Sequence, residues 1–293
     1  MKKEFKKPHD VRWVFFGTPD LSVTILDELA RAGFLPSIIV TRPDAPVGRG
    51  NVLTPPPVKV WAHAHTVPVL QPQKMTPDFI ADLQKETWDV FIVAAYGKIL
   101  PQTLLDIPAH GTLNVHPSLL PRLRGPSPIV SAILTDESET GVSIIVLDAQ
   151  MDHGPIVEQE VVEITDWPPR ASDLERLLAK RGGELLADTL IPWVRGEIRA
   201  RAQEDTHATF CKIIKKEDGL INLSDDPYQN LLKIRAFDGW PGTYTFFERG
   251  EKKIRVQIID ARLSPDGSLE IITVRPEGKR DMPYADFHRG FLK

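Results

Sequence analysis

The sequence predicts an α/β protein, with a mainly parallel sheet covered by helices and a smaller β-rich domain after it. Three observations carry this reading. Short apolar runs closed by Gly alternate with helix-spaced segments over the first 194 residues. The chain then turns polar from Arg195 to Lys216, with six basic residues: Arg195, Arg199, Arg201, Lys212, Lys215 and Lys216. Beyond that stretch, β-rich runs are separated by Gly, Asp and Pro turns. A length of 293 residues suits two domains.

The elements follow in order. VRWVFFG (11–17) is a short apolar run ended by Gly, typical of a strand buried on both faces. PDLSVTILDELARAG (19–33) has helical apolar spacing and a Gly stop. LPSIIVT (35–41) and VPVL (67–70) read as strands, and 76–85 as a helix. WDVFIVAAYG (88–97) and GTLNVH (111–116) are buried strands. GPSPIVSAIL (125–134) is a helix with Pro in its first turn. GVSIIVLD (141–148) and PIVEQEVVEI (155–164) are strands, and an amphipathic helix over 171–194 closes the domain. The expected domains are 1–194, a basic linker at 195–216 and 217–293. The last has a helix at 227–236 and strands in GTYTFFE, KIRVQIIDARL and SLEIITV. The class is thus a Rossmann-like sheet followed by a small OB-like β-barrel.

Composition excludes several classes. Hydrophobic residues make up 42% and charged residues 26%, as in soluble globular chains. No apolar run approaches the roughly 20 residues that span a bilayer. The basic start, MKKEFKKPHD, lacks the apolar core of a secretory leader and is expected to be frayed and solvated. The one cysteine, Cys211, allows no internal disulfide and no Cys-rich metal cage, so a cytoplasmic protein is expected. Net charge is -4, but residues 211–293 carry 15 basic against 13 acidic side chains. The C-terminal part is the better side to meet a polyanion.

Three places carry candidate chemistry. GTPD at Gly17 stands where a dinucleotide fingerprint would be, but G-x-G-x-x-G is absent. It reads either as a plain strand-to-helix turn or as an anion site. TRPDAPVGRGNVLTPPPVK, Thr41 to Lys59, is long and Pro/Gly-rich, either a solvated flap or a substrate-gripping loop through Arg42 and Arg49. Asn114 and His116 stand two apart at the end of a buried strand, so both face one side, where open α/β sheets form sites. Asp152, before a Gly in a tight turn, is positioned to reach that strand end and to orient His116 for proton transfer. The bland alternative is a structural His and a turn Asp. His153 has no evident role.

The same residues carry a family resemblance over nearly the whole chain. FFGTPD, TRPDAPVGRG with PPPVK, AAYGKILP, and TGVSIIVLDAQMDHGPI are similar to segments of the methionyl-tRNA formyltransferases. These belong to the wider 10-formyltetrahydrofolate-dependent transferases. LNVHPSLLPRLRGPSPI resembles that group's pattern N-x-H-x-S-L-L-P-x-x-R-G, and IRAFDGWPGT and RPEGKRDMPYADFHRG resemble its tRNA-binding C-terminal domain. The resemblance implies that Asn114, His116 and Asp152 are catalytic. It implies that Tyr96, Gly97, Lys98, Ile99 and Leu100, with Ser118, Leu119, Leu120 and Pro121, contact the folate. It implies that Arg42 and Arg49 grip the acceptor end of initiator methionyl-tRNA. The enzyme would act as a monomer, without metal, moving a formyl group from 10-formyltetrahydrofolate to the methionyl amine. Rival readings are a formyltransferase for a nucleotide-linked amino sugar or other small amine, a folate hydrolase, and a non-catalytic RNA-binding protein.

Overall fold

The computed structural model describes residues 4–48, 50–249 and 252–291. In chain order the elements are β1 (Trp13–Gly17), α1 (Asp20–Arg31), β2 (Ile38–Val40), β3 (Ala45–Val47), β4 (Val52–Thr54), α2 (Pro57–Ala64), β5 (Val69–Leu70) and α3 (Pro77–Gln84). Then come β6 (Val90–Ala94), α4 (Gln102–Leu105), β7 (Thr112–His116), α5 (Pro128–Leu134), β8 (Thr140–Val146), β9 (Ile156–Val162) and α6 (Ala171–Val194). The remainder is α7 (Pro227–Ala236), β10 (Thr243–Arg249), β11 (Lys252–Leu263), β12 (Leu269–Pro276), β13 (Met282–Pro283) and α8 (Tyr284–Phe291).

The chain forms two compact units. The first comprises residues 1–124, 141–162 and 175–210; the second comprises 125–140, 163–174 and 211–293. The first unit holds a seven-stranded sheet in the order β5-β2-β1-β6-β7-β8-β9. The pairs from β5 to β7 are parallel, and β7 pairs with β8 antiparallel. The chain starts at β1 and builds outward to either side of it, the arrangement that opens a crevice at the carboxyl ends of the strands.

Strands β1, β6 and β7 are buried at every position. That is why they read as continuous apolar runs rather than alternating ones. One core cluster joins Val14, Phe16, Val40, Phe91 and Val93 to Ile80 and Leu83 of α3 and to Trp88. Helix α3 opens as its sequence suggests, with Thr76 capping the amide of Phe79 and Pro77 in the first turn.

The second unit has an antiparallel sheet in the order β10-β11-β12-β13. The ladder between β11 and β12 is irregular between Ile258 and Ala261. Its core joins Val256, Ile258, Ala261 and Val274 to Ile221, Ile234 of α7 and Phe287 of α8.

Several expectations change. The N-terminal segment is docked: Phe5 is buried, its ring lies edge-on to His110, and its carbonyl accepts from Arg195 Nε at 2.6 Å. An aromatic side chain in a charged run gains more from burial than solvation of the run offers. The stretch from Thr41 to Lys59 is not one irregular loop. It contains the β3–β4 hairpin and the first residues of α2. Helix α2 hides behind Pro55–Pro57, because a proline run signals loop while a proline at the first helical position starts a helix. Residues 195–210, expected as linker, run along the first unit, where Arg201 bridges to Ile156 and Phe210 to Arg124.

Candidate active site

Asn114 and His116 belong to β7, with Asn114 opposite Val93 of β6 and Ile145 of β8, and His116 opposite Ser143. Both are buried. Polar groups in such a place cost free energy unless they are partnered. His116 is partnered on both edges: Nε2 lies 3.0 Å from the Leu123 carbonyl oxygen and Nδ1 lies 3.7 Å from Asp152 Oδ1. A carbonyl only accepts, so Nε2 carries a proton, and the nitrogen facing Asp152 is Nδ1. The ring donates from both edges only as the imidazolium. Asn114 is different. It is 9% exposed, and among the described residues its amide has no hydrogen-bond partner. The amide is not sealed from solvent, so it is free to donate to a ligand oxygen.

The loop after β8 leaves the sheet beside the start of β7, where the Leu147 amide donates to the Thr112 carbonyl. It carries the Asp152 carboxylate to His116. Asp152 itself has φ +49°, the left-handed region that Asp tolerates better than most residues. Gly154 follows, and a Cβ there would collide with the carbonyl oxygen of Val146. His153, to which the sequence gave no role, pairs its Nδ1 with Asp148 Oδ2 at 2.7 Å. The three residues expected to be catalytic therefore split: His116 and Asp152 are in contact, and Asn114 shares the strand and face of His116.

The segments expected to hold the folate have clear supports. Ser143 is a hub for the loop after β7: its Oγ donates to the Ser118 carbonyl and accepts from the Leu120 amide. Gln159 donates to Ser143 Oγ at 2.7 Å and to the Leu120 carbonyl at 2.9 Å. Ser118 Oγ closes the turn by donating to the Arg122 carbonyl at 2.7 Å. Leu119 and Pro121 are partly exposed in this frame, and Leu120 packs on Ile145 and Ile156. Sequence reading missed Ser143 and Gln159, since a Ser and a Gln in strands look like solvated alternation.

After β6 the chain turns through Ala95 at φ +48° and Gly97 at φ +75°. The Tyr96 ring points into the core, edge-on to Phe16 with centroids 5.7 Å apart. Only its backbone is left to face the crevice, where its carbonyl accepts from Thr18 Oγ1. Burial pushes the Tyr96 phenol up to about 12, and among the described residues its Oη has no partner. Tyr96→Phe is expected to raise stability by about 1 kcal/mol, since it removes an unsatisfied hydroxyl. A fall in melting temperature would show that the hydroxyl is satisfied. Lys98 turns its Nζ to the carbonyls of Pro72 and Gln73, at 3.0 and 2.8 Å. Ile99 is exposed and Leu100 partly buried.

Arg42 donates to the carbonyl of Gly97, so it braces the segment after β6. The hairpin base is fixed beside it: Asp44 accepts from Lys59 at 2.8 and 2.9 Å and from Gln71 at 2.8 Å. Gln71 and Lys59 hold the Asp44 carboxyl below its usual range. Val47, Val52 and Leu53 of the hairpin are exposed. Arg49, the other residue expected to grip the substrate, lies outside the described residues. Among the described residues no group of three His, Cys, Asp or Glu side chains could hold a metal ion, and no helix is long and apolar enough to cross a membrane.

Known proteins resemble this chain over most of its length. Residues 11–190 match the family described as Formyl transferase, and residues 213–266 match Formyl transferase, C-terminal domain. A methionyl-tRNA formyltransferase of Chloroflexus aurantiacus is 42% identical over 299 residues, covering 93% of this chain and 94% of the relative. One from Geobacter sulfurreducens is 36% identical, covering 96% and 94%. Solved structures share the fold. A sugar N-formyltransferase from a Shewanella species superposes with a TM-score of 0.62 at 17% identity, covering 89% of this chain and 96% of that one. HypX from Aquifex aeolicus, crystallised with tetrahydrofolic acid, gives 0.65 at 19% identity, covering 96% of this chain and 47% of that one. With its polar strand end, its two matched family segments and these relatives along its length, the chain belongs to the formyl transferase family, in the branch of the methionyl-tRNA formyltransferases.

Proposed function

We propose that this enzyme transfers the formyl group of 10-formyltetrahydrofolate to the amine of initiator methionyl-tRNA. The observation that carries the chemistry is the His116–Asp152 contact beside the unpartnered Asn114 amide. The acceptor is supported by relatives about 40% identical over almost the whole chain. The folate fits the residues present: the Asn114 amide needs an acceptor, and the loops at 96–100 and 118–121 offer backbone and apolar surface braced by Arg42, Ser143 and Gln159.

The folate supplies an activated one-carbon unit on nitrogen. The chain's own residues handle charge and protons. The Asn114 amide donates to the formyl oxygen as negative charge develops there, a contribution worth about 100- to 1000-fold in rate. His116 is held by Leu123 at Nε2, so Nδ1 is the ring nitrogen that faces Asp152. The Asp152 carboxylate takes the proton released as the methionyl amine bonds to the formyl carbon, directly or through water, and returns it to the folate nitrogen as the bond from that nitrogen to the formyl carbon breaks. The exposed hairpin of β3 and β4, anchored by Arg42 and the Asp44–Lys59 pair, provides a surface for a large acceptor. Residues 211–293, with 15 basic against 13 acidic side chains, offer a second surface for tRNA phosphates. A single cysteine suits action in the reducing cytoplasm.

An amino-sugar acceptor is the alternative, and it draws on fold-level likeness alone. Binding separates the two. Methionyl-tRNA is expected to bind with a strong salt dependence, about 0.7–0.9 in the log–log slope per phosphate neutralised. An amino-sugar nucleotide is expected not to compete. Displacement of the tRNA by the nucleotide at comparable concentration would overturn the acceptor assignment.

A further inference from the structure

We propose that Arg124 and Gln203 form a positioning relay that sets Asp152 against His116, so that residues 203–209 are part of the active-site apparatus. The inference rests on the catalytic reading of Asp152. The Gln203 amide nitrogen donates to two carbonyls at once, Asp152 O at 2.8 Å and Gly154 O at 2.7 Å. It thereby spans the turn in which Asp152 is held at φ +49°. The turn is tight, with no room for a Cβ at Gly154, and Gln203 ties together the carbonyls on both sides of residue 153. The Gln203 Oε1 accepts from Arg124 Nε at 3.0 Å. With donors on one side and an acceptor on the other, the amide has a single orientation: rotated by half a turn, it would set oxygen against two carbonyl oxygens and nitrogen against a guanidinium.

Arg124 is itself buried, at 4% exposure, and its second nitrogen donates to Asp205 Oδ1 at 2.8 Å. The residue before it, Leu123, supplies the carbonyl that fixes His116 Nε2. The backbone amides of Leu123 and Arg124 are both held by Thr209, through Oγ1 at 2.9 Å and the carbonyl at 2.9 Å. One dipeptide therefore governs both partners. Leu123 orients the imidazole by direct contact, and Arg124 orients the carboxylate through Gln203. The 3.7 Å separation of His116 and Asp152 depends on the two arms being set from one point.

The test uses the full-length enzyme with two variants, Gln203→Ala and Gln203→Glu. Glu keeps the length and the Arg124 contact but turns both donors into acceptors, so packing is preserved and the clamp is lost. Both variants are expected to lower kcat about 10- to 100-fold, the scale of an ångström-sized misplacement, with KM for either substrate within about twofold, measured at a temperature where melting curves show both variants folded. Single-turnover rates with Asp152→Ala and the double variant Asp152→Ala/Gln203→Ala complete a cycle. Once Asp152 is gone, removing Gln203 is expected to have no further effect on rate. Wild-type kcat in Gln203→Glu, or losses that add in the double variant, would overturn the relay. A wild-type enzyme that forms no formylated product would instead defeat the functional reading on which it rests.

Discussion

Asp152→Asn is expected to cut kcat by about 100- to 10,000-fold, the range of a lost general acid–base and orienting carboxylate, while the protein stays folded. The substitution keeps the shape. Asn is among the few residues that accept a left-handed backbone, so the φ of +49° is not a source of strain. The carbonyl of residue 152, which Gln203 holds, is also retained. What is lost is the anion 3.7 Å from His116 Nδ1. A neutral amide gives His116 no charged partner and takes no proton from the attacking amine. Steady-state kinetics with a parallel melting curve decide the matter. A kcat near wild type would remove Asp152 from the mechanism, and a collapsed melting temperature would return it to the bland role of a turn residue.

Asn114→Ala carries the second large effect. A donor aimed at developing charge in a water-poor site is worth about 100- to 1000-fold in rate. A buried Asn that served structure would behave otherwise. Its removal would strand a partner and cost stability, with turnover nearly unchanged. Among the described residues, however, the Asn114 amide has no partner to strand. The account therefore expects a large fall in kcat with a melting temperature equal to or above that of the wild type. The reverse pattern, stable kinetics and a weakened fold, would make Asn114 a core residue.

Much of this architecture is legible in the chain itself, and the reasons are local. WVFFG and VFIVA are buried on both faces and so are uniformly apolar, which marks strands of a covered parallel sheet. Thr76 before Pro77 announces a helix start. Asn114 and His116 stand out because nothing else polar of that kind interrupts the end of a buried strand. Other features depend on contacts between distant residues and leave no local trace. Phe5 reads as part of a charged, solvated tail until its carbonyl is seen to meet Arg195. Helix α2 is masked by the prolines that start it. Ser143, Gln159 and Gln203 are ordinary polar residues whose importance comes from the backbone groups they reach, 23 to 51 positions away. The units are not consecutive either: residues 125–140 and 163–174 group with the C-terminal sheet, an arrangement that no composition shift signals.

The most direct measurement is product formation. Purified enzyme is mixed with 10-formyltetrahydrofolate and methionyl-tRNA, with an amino-sugar nucleotide in a parallel reaction, and the products are analysed by mass spectrometry after hydrolysis of the ester. The account predicts formyl-methionine that is lost in Asp152→Asn, and no formylated sugar. Formylated sugar without formyl-methionine, or formyl release without any acceptor, would contradict it.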